Sequence, residues 1–166
     1  MGNEEIDQLL IKTAKNIYGY LLKIGVNRAD ADDIVQDTLN KALLTIYQVD
    51  ITYIKTWLFQ IAINKHRDLL RRRRRIEQFP LESVQLIGTK GLEEAILTKE
   101  MQLEIQKVLN QLNPMYKHIL LLKYDFELSY KEISVLLEMK EETVKTSLYR
   151  ARNEFKKIYR RENDEE

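Results

Sequence analysis

The sequence predicts an all-α protein of two small helical domains joined by a flexible linker, and three observations carry that expectation. Apolar residues recur at spacings of three and four, rather than two, along nearly the whole chain. Only 5 Gly and 2 Pro occur in 166 residues, and most of them cluster between the periodic segments. The periodicity lapses through Phe79, Pro80, Gly88 and Gly91, a stretch with the content of a linker. The expected division is therefore a first domain over 1–76, a linker over 77–92, a second domain over 93–161 and an acidic tail over 162–166.

The first helix is expected from about Glu4 to Lys23, with Ile6, Leu9, Leu10, Thr13, Ile17 and Leu21 inward and Gly25 ending it. A second should run from Asp30 to about Tyr47 on a stripe of Val35, Leu39, Ala42, Leu43 and Ile46. A third spans Tyr53 to Arg75. Beyond the linker, Glu93 to Leu112 reads as helix, Asn113-Pro114 as a stop, and Met115 to about Tyr124 as a further helix. Ser129-Tyr130-Lys131-Glu132 has the form of a capping box, so a helix should start there with Ile133, Leu136 and Leu137 on its apolar face until about Glu138. After a short turn, Val144, Leu148, Ala151, Phe155 and Ile158 trace one stripe of a last helix.

Composition narrows the chemistry. With no Cys there is no disulfide, thiolate cluster or thiol nucleophile, and the 2 His, His66 and His118, lie far apart without ligand spacing. No metal or other cofactor is expected. The N-terminus is acidic where a signal peptide needs a basic start, and no uncharged apolar run approaches the ~20 residues that span a bilayer. Asp7 stands where a myristoylation signal starting at Gly2 would need Ser or Thr. A cytoplasmic location without membrane insertion is the expectation. The formal net charge of +1 conceals a partition: residues 51–76 carry +7 and 129–161 carry +4, whereas 1–50 and 77–128 each carry −3 and the tail −4. Two basic blocks, each on an expected helix, suggest two separate contacts with a polyanion.

The last two helices describe a helix-turn-helix whose second member presents Glu142, Lys145, Thr146, Tyr149, Arg150 and Asn153 opposite its apolar stripe. Those side chains suit a major groove, since Arg and Lys donate to guanine and Thr meets a thymine methyl. The run Asn64 to Arg75 holds seven Lys or Arg against one acid, Asp68. Each like-charge pair costs a few tenths of a kcal/mol, so a stable helix there implies a compensating polyanion, with anionic lipid as one alternative. Asn64, Asp68, Arg71 and Arg75 share a stripe, and Asp68 can pair with Arg71 or Arg72. On the second helix, Asp30 and Asp32 suit the positive end of the helix dipole, which explains Asp37 less well. Without a phosphate loop or nucleophile motif beside them, these acids read as a docking surface for a basic partner. Tyr53, Trp57 and Phe59 could stack on unpaired bases, although helical spacing beside Leu58, Ile61 and Ala62 favours the core for Trp57.

ADADDIVQDTLNKAL, TWLFQIAINKHRDLLRRRRR and LSYKEISVLLEMKEETVKTSLYRAR together resemble the signature stretches of extracytoplasmic-function (ECF) sigma factors, the small sigma-70-type subunits of bacterial RNA polymerase. The resemblance covers most of the chain in the family's order. It implies that the two domains are sigma regions 2 and 4. It further implies that Asp32, Asp33, Gln36 and Asp37 dock on the β′ clamp of core polymerase. Tyr53, Asn64, Lys65, Arg67, Asp68, Arg71, Arg72 and Arg75 would then bind and open the minus-ten element. Thr143, Lys145, Thr146, Tyr149, Arg150 and Arg152 would read the minus-thirty-five element. Core polymerase, through its β′ clamp and β flap, promoter DNA and an anti-sigma factor are the implied partners, and envelope or environmental stress the implied occasion. Catalysis by the chain itself is not implied.

Three departures from the family pattern stand out. Glu138 occupies a turn position where Gly is frequent, Lys140 an N-cap where Ser is frequent, and Ser147 a position where Arg is frequent. Lys140 forgoes a cap worth ~1 kcal/mol, and Glu138 must adopt a turn that Gly accepts more readily. The rival reading from the residues alone is a free-standing helix-turn-helix regulator of duplex operators, which has no need of the acidic face or the second basic helix.

Overall fold

The computed structural model describes residues 2–76 and 99–164, with the side chains of Arg75 and Ile76 outside that description. The expected linker 77–92, the first residues of the helix expected from Glu93, and Glu165 and Glu166 of the tail lie outside it too. The chain divides into two compact units, Met1–Thr89 and Lys90–Glu166. Among the described residues every regular element is helical.

The first unit packs three helices mutually: α1 (Asn3–Lys23), α2 (Arg28–Thr45) and α3 (Ile54–Ile76). Leu10, Thr13, Ile17, Tyr20 and Leu21 form the buried face of α1. Ile6 and Leu9, expected inward, are only half-buried, and Tyr20 completes the stripe instead. It meets Phe59 of α3 edge to face, with ring centroids 6.0 Å apart, a geometry that suits the aromatic quadrupoles. Gly25 at φ 98° closes α1, with Val26 N–H donating to the Leu21 carbonyl and Gly25 N–H to that of Leu22. This is the two-bond end that a left-handed Gly permits, and Val26 tucks into the core behind it.

For α2 the register differs from expectation. Its buried residues are Ala31, Ile34, Thr38 and Ala42, while Leu43, assigned to the core from its spacing, is 61% exposed. The helix is wedged between two neighbours, so its innermost line is set by small side chains: Ala31 and Ala42 are wholly buried and let the backbones approach. Thr38 remains tolerable there because its hydroxyl donates to the Ile34 carbonyl at 2.7 Å. Asn27, rather than Asp30, caps the helix, its side chain accepting from Asp30 N–H. The chain leaves α2 at Thr45 and passes through two short 3-10 turns, Ile46–Gln48 and Ile51–Tyr53. Trp57 is half-buried, and Phe59 is the aromatic that fills the core.

The second unit comprises α4 (Lys99–Gln111), α5 (Pro114–Leu120), α6 (Tyr130–Leu137) and α7 (Glu141–Asp164), with α4, α5 and α6 all packed on α7. Asn113 caps α5 by accepting from Tyr116 N–H, and Pro114 follows as its first residue. The helix expected as far as Tyr124 changes pitch at Leu121, and Leu121–Asp125 form a π-helical turn. Val144, Leu148, Ala151 and Ile158 make the buried stripe of α7 against Ile119, Leu122, Ile133 and Leu136.

The capping box forms in full. Glu132 N–H donates to Ser129 Oγ and Ser129 N–H to Glu132 Oε1, both at 3.1 Å. The turn between α6 and α7 places Glu138 in the left-handed region, at φ 54° and ψ 45°. A non-Gly residue there costs about 1–2 kcal/mol, partly offset by the greater unfolded-state entropy of Gly. Glu138→Gly should therefore raise stability by about 0.5–1 kcal/mol and Ser129→Ala lower it by ~1 kcal/mol. Urea denaturation followed by circular dichroism measures both; equal midpoints for the three proteins would contradict the turn and cap assignments.

Candidate nucleic-acid interface

The acidic set lies on the outer side of α2. Asp32, Asp33, Gln36 and Asp37 are all exposed, one turn apart, while Ala31 and Ile34 between them point into the core. Asp30 behaves differently. It is tucked in, its side chain 15% exposed, where it takes a 2.6 Å ion pair from Arg73 at the far end of α3 and a hydrogen bond from Asn27. The dipole argument for Asp30 thus gains a second partner from another helix.

The basic helix α3 stays helical through its run of arginines, and carboxylates answer some of the charge. Asp68 pairs with Arg71 at 3.7 Å one turn along, as the spacing predicts. Lys65 lies 3.7 Å from Asp37, so a residue of the acidic set touches one of the basic set. Asn64, Arg72 and Arg74 are exposed, Arg67 is half-buried, and the side chain of Arg75 lies outside the described residues. Tyr53, preceding α3, is 58% exposed, with Tyr47, Leu43 and Leu44 also outward at the adjoining end of α2. That end of the unit therefore offers aromatic and apolar surface, at the opposite end of α2 and α3 from the Asp30–Arg73 pair.

His66 sits between these charges on α3. Burial holds its pKa below the usual histidine value; Asp30 pulls it up, and Arg73 and Arg67 push it down. Nearby, burial raises the Tyr20 phenol well above its ordinary value despite the opposing Arg67.

In the second unit, α7 presents Glu142, Thr143, Lys145, Thr146, Tyr149, Arg150 and Asn153 to solvent opposite its core stripe. Thr146 Oγ1 donates to the Glu142 carbonyl at 3.1 Å. Tyr149 is 61% exposed. Lys145 lies 5.5 Å from the ring centre of Tyr130 at the start of α6, and Lys123 lies 4.5 Å from the same ring. Arg152 is offset from the outward stripe: its guanidinium donates to the Tyr124 hydroxyl at 2.9 Å, a bond that raises its pKa. Tyr124, Tyr130 and Lys123 were not candidates from sequence. Their one visible signal is Lys123 and Tyr124 side by side just before the capping box, with Tyr130 inside it.

A helix-turn-helix with an outward basic recognition helix, on a chain that also carries a separate basic helix beside an acidic face, defines a DNA-binding transcription protein with more than one contact surface. Comparison with known proteins gives the particular kind. Residues 10–76 match the family model "Sigma-70 region 2" and residues 102–155 match "Sigma-70, region 4". The chain is 33% identical over 165 residues to the ECF RNA polymerase sigma factor SigM of Bacillus subtilis (strain 168), covering 96% of this chain and 99% of that protein. It is 34% identical over 141 residues to the RNA polymerase sigma factor NccH of Alcaligenes xylosoxydans xylosoxydans, covering 77% and 72%. Among solved structures, the sigma factor RpoE in complex with the anti-sigma factor NepR, from Bartonella quintana, superposes with a TM-score of 0.75 at 23% identity over 95% of this chain and 98% of that one. CnrH in complex with the cytosolic domain of CnrY gives 0.64 at 23% identity, over 95% and 89%.

The chain belongs to the ECF family of RNA polymerase sigma factors. It is a transcription initiation factor, which brings core RNA polymerase to promoter DNA; the free-standing regulator is not favoured. Among the described residues no helix is long and apolar enough to cross a membrane.

The His66 environment generates a pH dependence. Its folded pKa lies below the unfolded value of 6.5, so below 6.5 the unfolded chain binds more protons than the folded one and stability falls as pH falls through that interval. Urea midpoints followed by Trp57 fluorescence should drop between pH 7 and the folded pKa, and His66→Gln should flatten that part of the profile. Asp30→Asn removes the carboxylate that favours the charged imidazole, so the His66 titration followed by NMR should move lower still.

Proposed function

We propose that the two units divide promoter recognition as regions 2 and 4 of a sigma factor, with the outer face of α2 fastening the protein to polymerase. In this reading Asp32, Asp33, Gln36 and Asp37 dock on the β′ clamp, and the second unit meets the β flap. Tyr53, Asn64, Lys65, Arg67, Asp68, Arg71, Arg72 and Arg75 engage and open the minus-ten element. Thr143, Lys145, Thr146, Tyr149, Arg150 and Arg152 read the minus-thirty-five element. The boundaries 1–76, 77–92, 93–161 and 162–166 follow from the same division.

The observation that carries the reading is the opposition of charge between neighbouring helices of one small core: exposed carboxylates on α2, exposed guanidinium groups on α3. A nucleic acid repels the first surface and attracts the second, so the acidic face calls for a partner that is not DNA. Strand opening needs no nucleotide hydrolysis, because capture of unstacked bases offsets the few kcal/mol of unpairing. The protein would thus be no enzyme itself and would act in the cytoplasm. An anti-sigma factor fits as a further partner, since sigma factors of this fold are known in such complexes.

Two variants test the assignment. Asp33→Lys combined with Asp37→Lys should abolish co-elution with core polymerase on gel filtration while leaving the circular dichroism spectrum intact; undiminished binding would exclude the docking face. Arg150→Ala should cost ~1–3 kcal/mol at one promoter position in run-off transcription from a randomised promoter library, if it reads a base. A phosphate contact would instead weaken all templates alike.

A further inference from the structure

Helix α7 is far longer than a reading head requires. It runs for 24 residues, about 36 Å at the helical rise, and recognition helices touch base edges chiefly with their N-terminal residues. The outward stripe of its first half does not end at Asn153. It continues at offsets of three and four through Lys156, Lys157, Arg160 and Arg161 to Asp164, so these five residues and Asn153 share one solvent-facing side of the helix. All six are exposed.

The distal half is held in place. Arg161 Nη2 donates to Gln111 Oε1 at 3.0 Å, and Gln111 Nε2 donates to Glu162 Oε1 at 2.9 Å. These bonds fasten the end of α7 to the end of α4, so the four cations are borne on a fixed rod. Glu162 lies on the core side of the helix, Glu154 at the edge of the stripe close to the angular position of Arg161, and Asp164 on the stripe at its far end.

From this arrangement we propose that Lys156, Lys157, Arg160 and Arg161 form a second DNA contact, a track for the sugar-phosphate backbone flanking the base pairs read by the first half of α7. The inference rests on the reading of α7 as the minus-thirty-five helix. A straight rod whose leading face lies in a major groove about 12 Å wide must carry the same face past the phosphate wall. Arg161 lies about 16 Å beyond Arg150 along the axis. Four like charges within two turns repel one another unless a polyanion lies against them. Such contacts add affinity and register but carry no base information, and they give duplex DNA a grip beyond that of Lys145 and Arg150.

The test uses the full chain assembled with core polymerase on a promoter duplex, with the association constant measured across a salt series. Lys156→Ala, Lys157→Ala and Arg160→Ala combined should reduce the slope of log K against log salt by about two to three, at ~0.9 per contact. Base preference in a randomised promoter library should stay unchanged. Alanine favours helix, so unaltered helicity by circular dichroism is expected. An unchanged slope overturns the proposal, as does a slope that stays constant while affinity for core polymerase falls, which would assign the face to a protein partner. Arg150→Ala on the same templates separates the failures. An effect of Arg150→Ala on base preference or on affinity for all templates, with an unchanged slope in the triple variant, overturns the backbone track alone; no effect of Arg150→Ala on either overturns the reading beneath both.

Discussion

Arg73 reaches from the far end of α3 to Asp30 at the start of α2, and this 2.6 Å pair pins the end of α3 to the helix whose core it shares. Without it, a helix carrying Arg71, Arg72, Arg73, Arg74 and Arg75 in succession has every electrostatic reason to fray. Exposed ion pairs contribute little, commonly below about 1 kcal/mol, and the Asp68–Arg71 and Asp37–Lys65 contacts at 3.7 Å are of that kind. Asp30 is better placed, being tucked in and held by Asn27, so less of its attraction is lost to water. The pair fastens α3 where its charge density is greatest, and the guanidinium groups of Arg72 and Arg74 remain outward on a rigid support.

The second unit solves a related problem with aromatic rings. Lys123 and Lys145 both approach Tyr130, and Arg152 donates to Tyr124. Rings attract cations without cancelling their charge. Side chains that would otherwise wave in solvent are thereby oriented while the positive field that draws DNA survives. Carboxylate partners would have oriented them equally well and neutralised the surface.

Local features were legible in the sequence because their physics is local. The Ser129–Glu132 capping box, the stripe Val144, Leu148, Ala151 and Ile158, though not the half-buried Phe155 also expected on it, the Gly25 ending and the Asp68–Arg71 pair each involve residues a few positions apart. What escaped depends on neighbours in space. The stripe of α2 was misjudged at Leu43 because apolarity was taken as the mark of burial. Between two close helices, small residues such as Ala31 and Ala42 occupy the innermost line, and a Leu a quarter-turn away stays outside. The Asp30–Arg73 and Tyr124–Arg152 contacts join residues far apart in the chain, and spacing arguments do not see them. The π-helical turn at Leu121 left no mark in periodicity, since its residues remain apolar and helical on either side of the change in pitch.

The acidic and basic faces of the first unit touch at Asp37 and Lys65, and that adjacency bears on how weak contacts sum. Helices α2 and α3 share one core, so fixing the acidic face fixes the orientation of the arginine-bearing helix as well. In the proposed division, the second unit on the same chain would then meet DNA as an intramolecular partner, at an effective concentration that can reach the millimolar range. Neither DNA surface needs high affinity by itself. Low affinity in isolation is an advantage for a protein whose net charge is only +1, because electrostatic binding to arbitrary duplex would otherwise compete with the promoter. A near-neutral total with strongly partitioned charge thus suits promoter selection. In the proposed division, discrimination comes from requiring several contacts at once, and the acidic blocks that bring the total near zero hold down binding to arbitrary duplex.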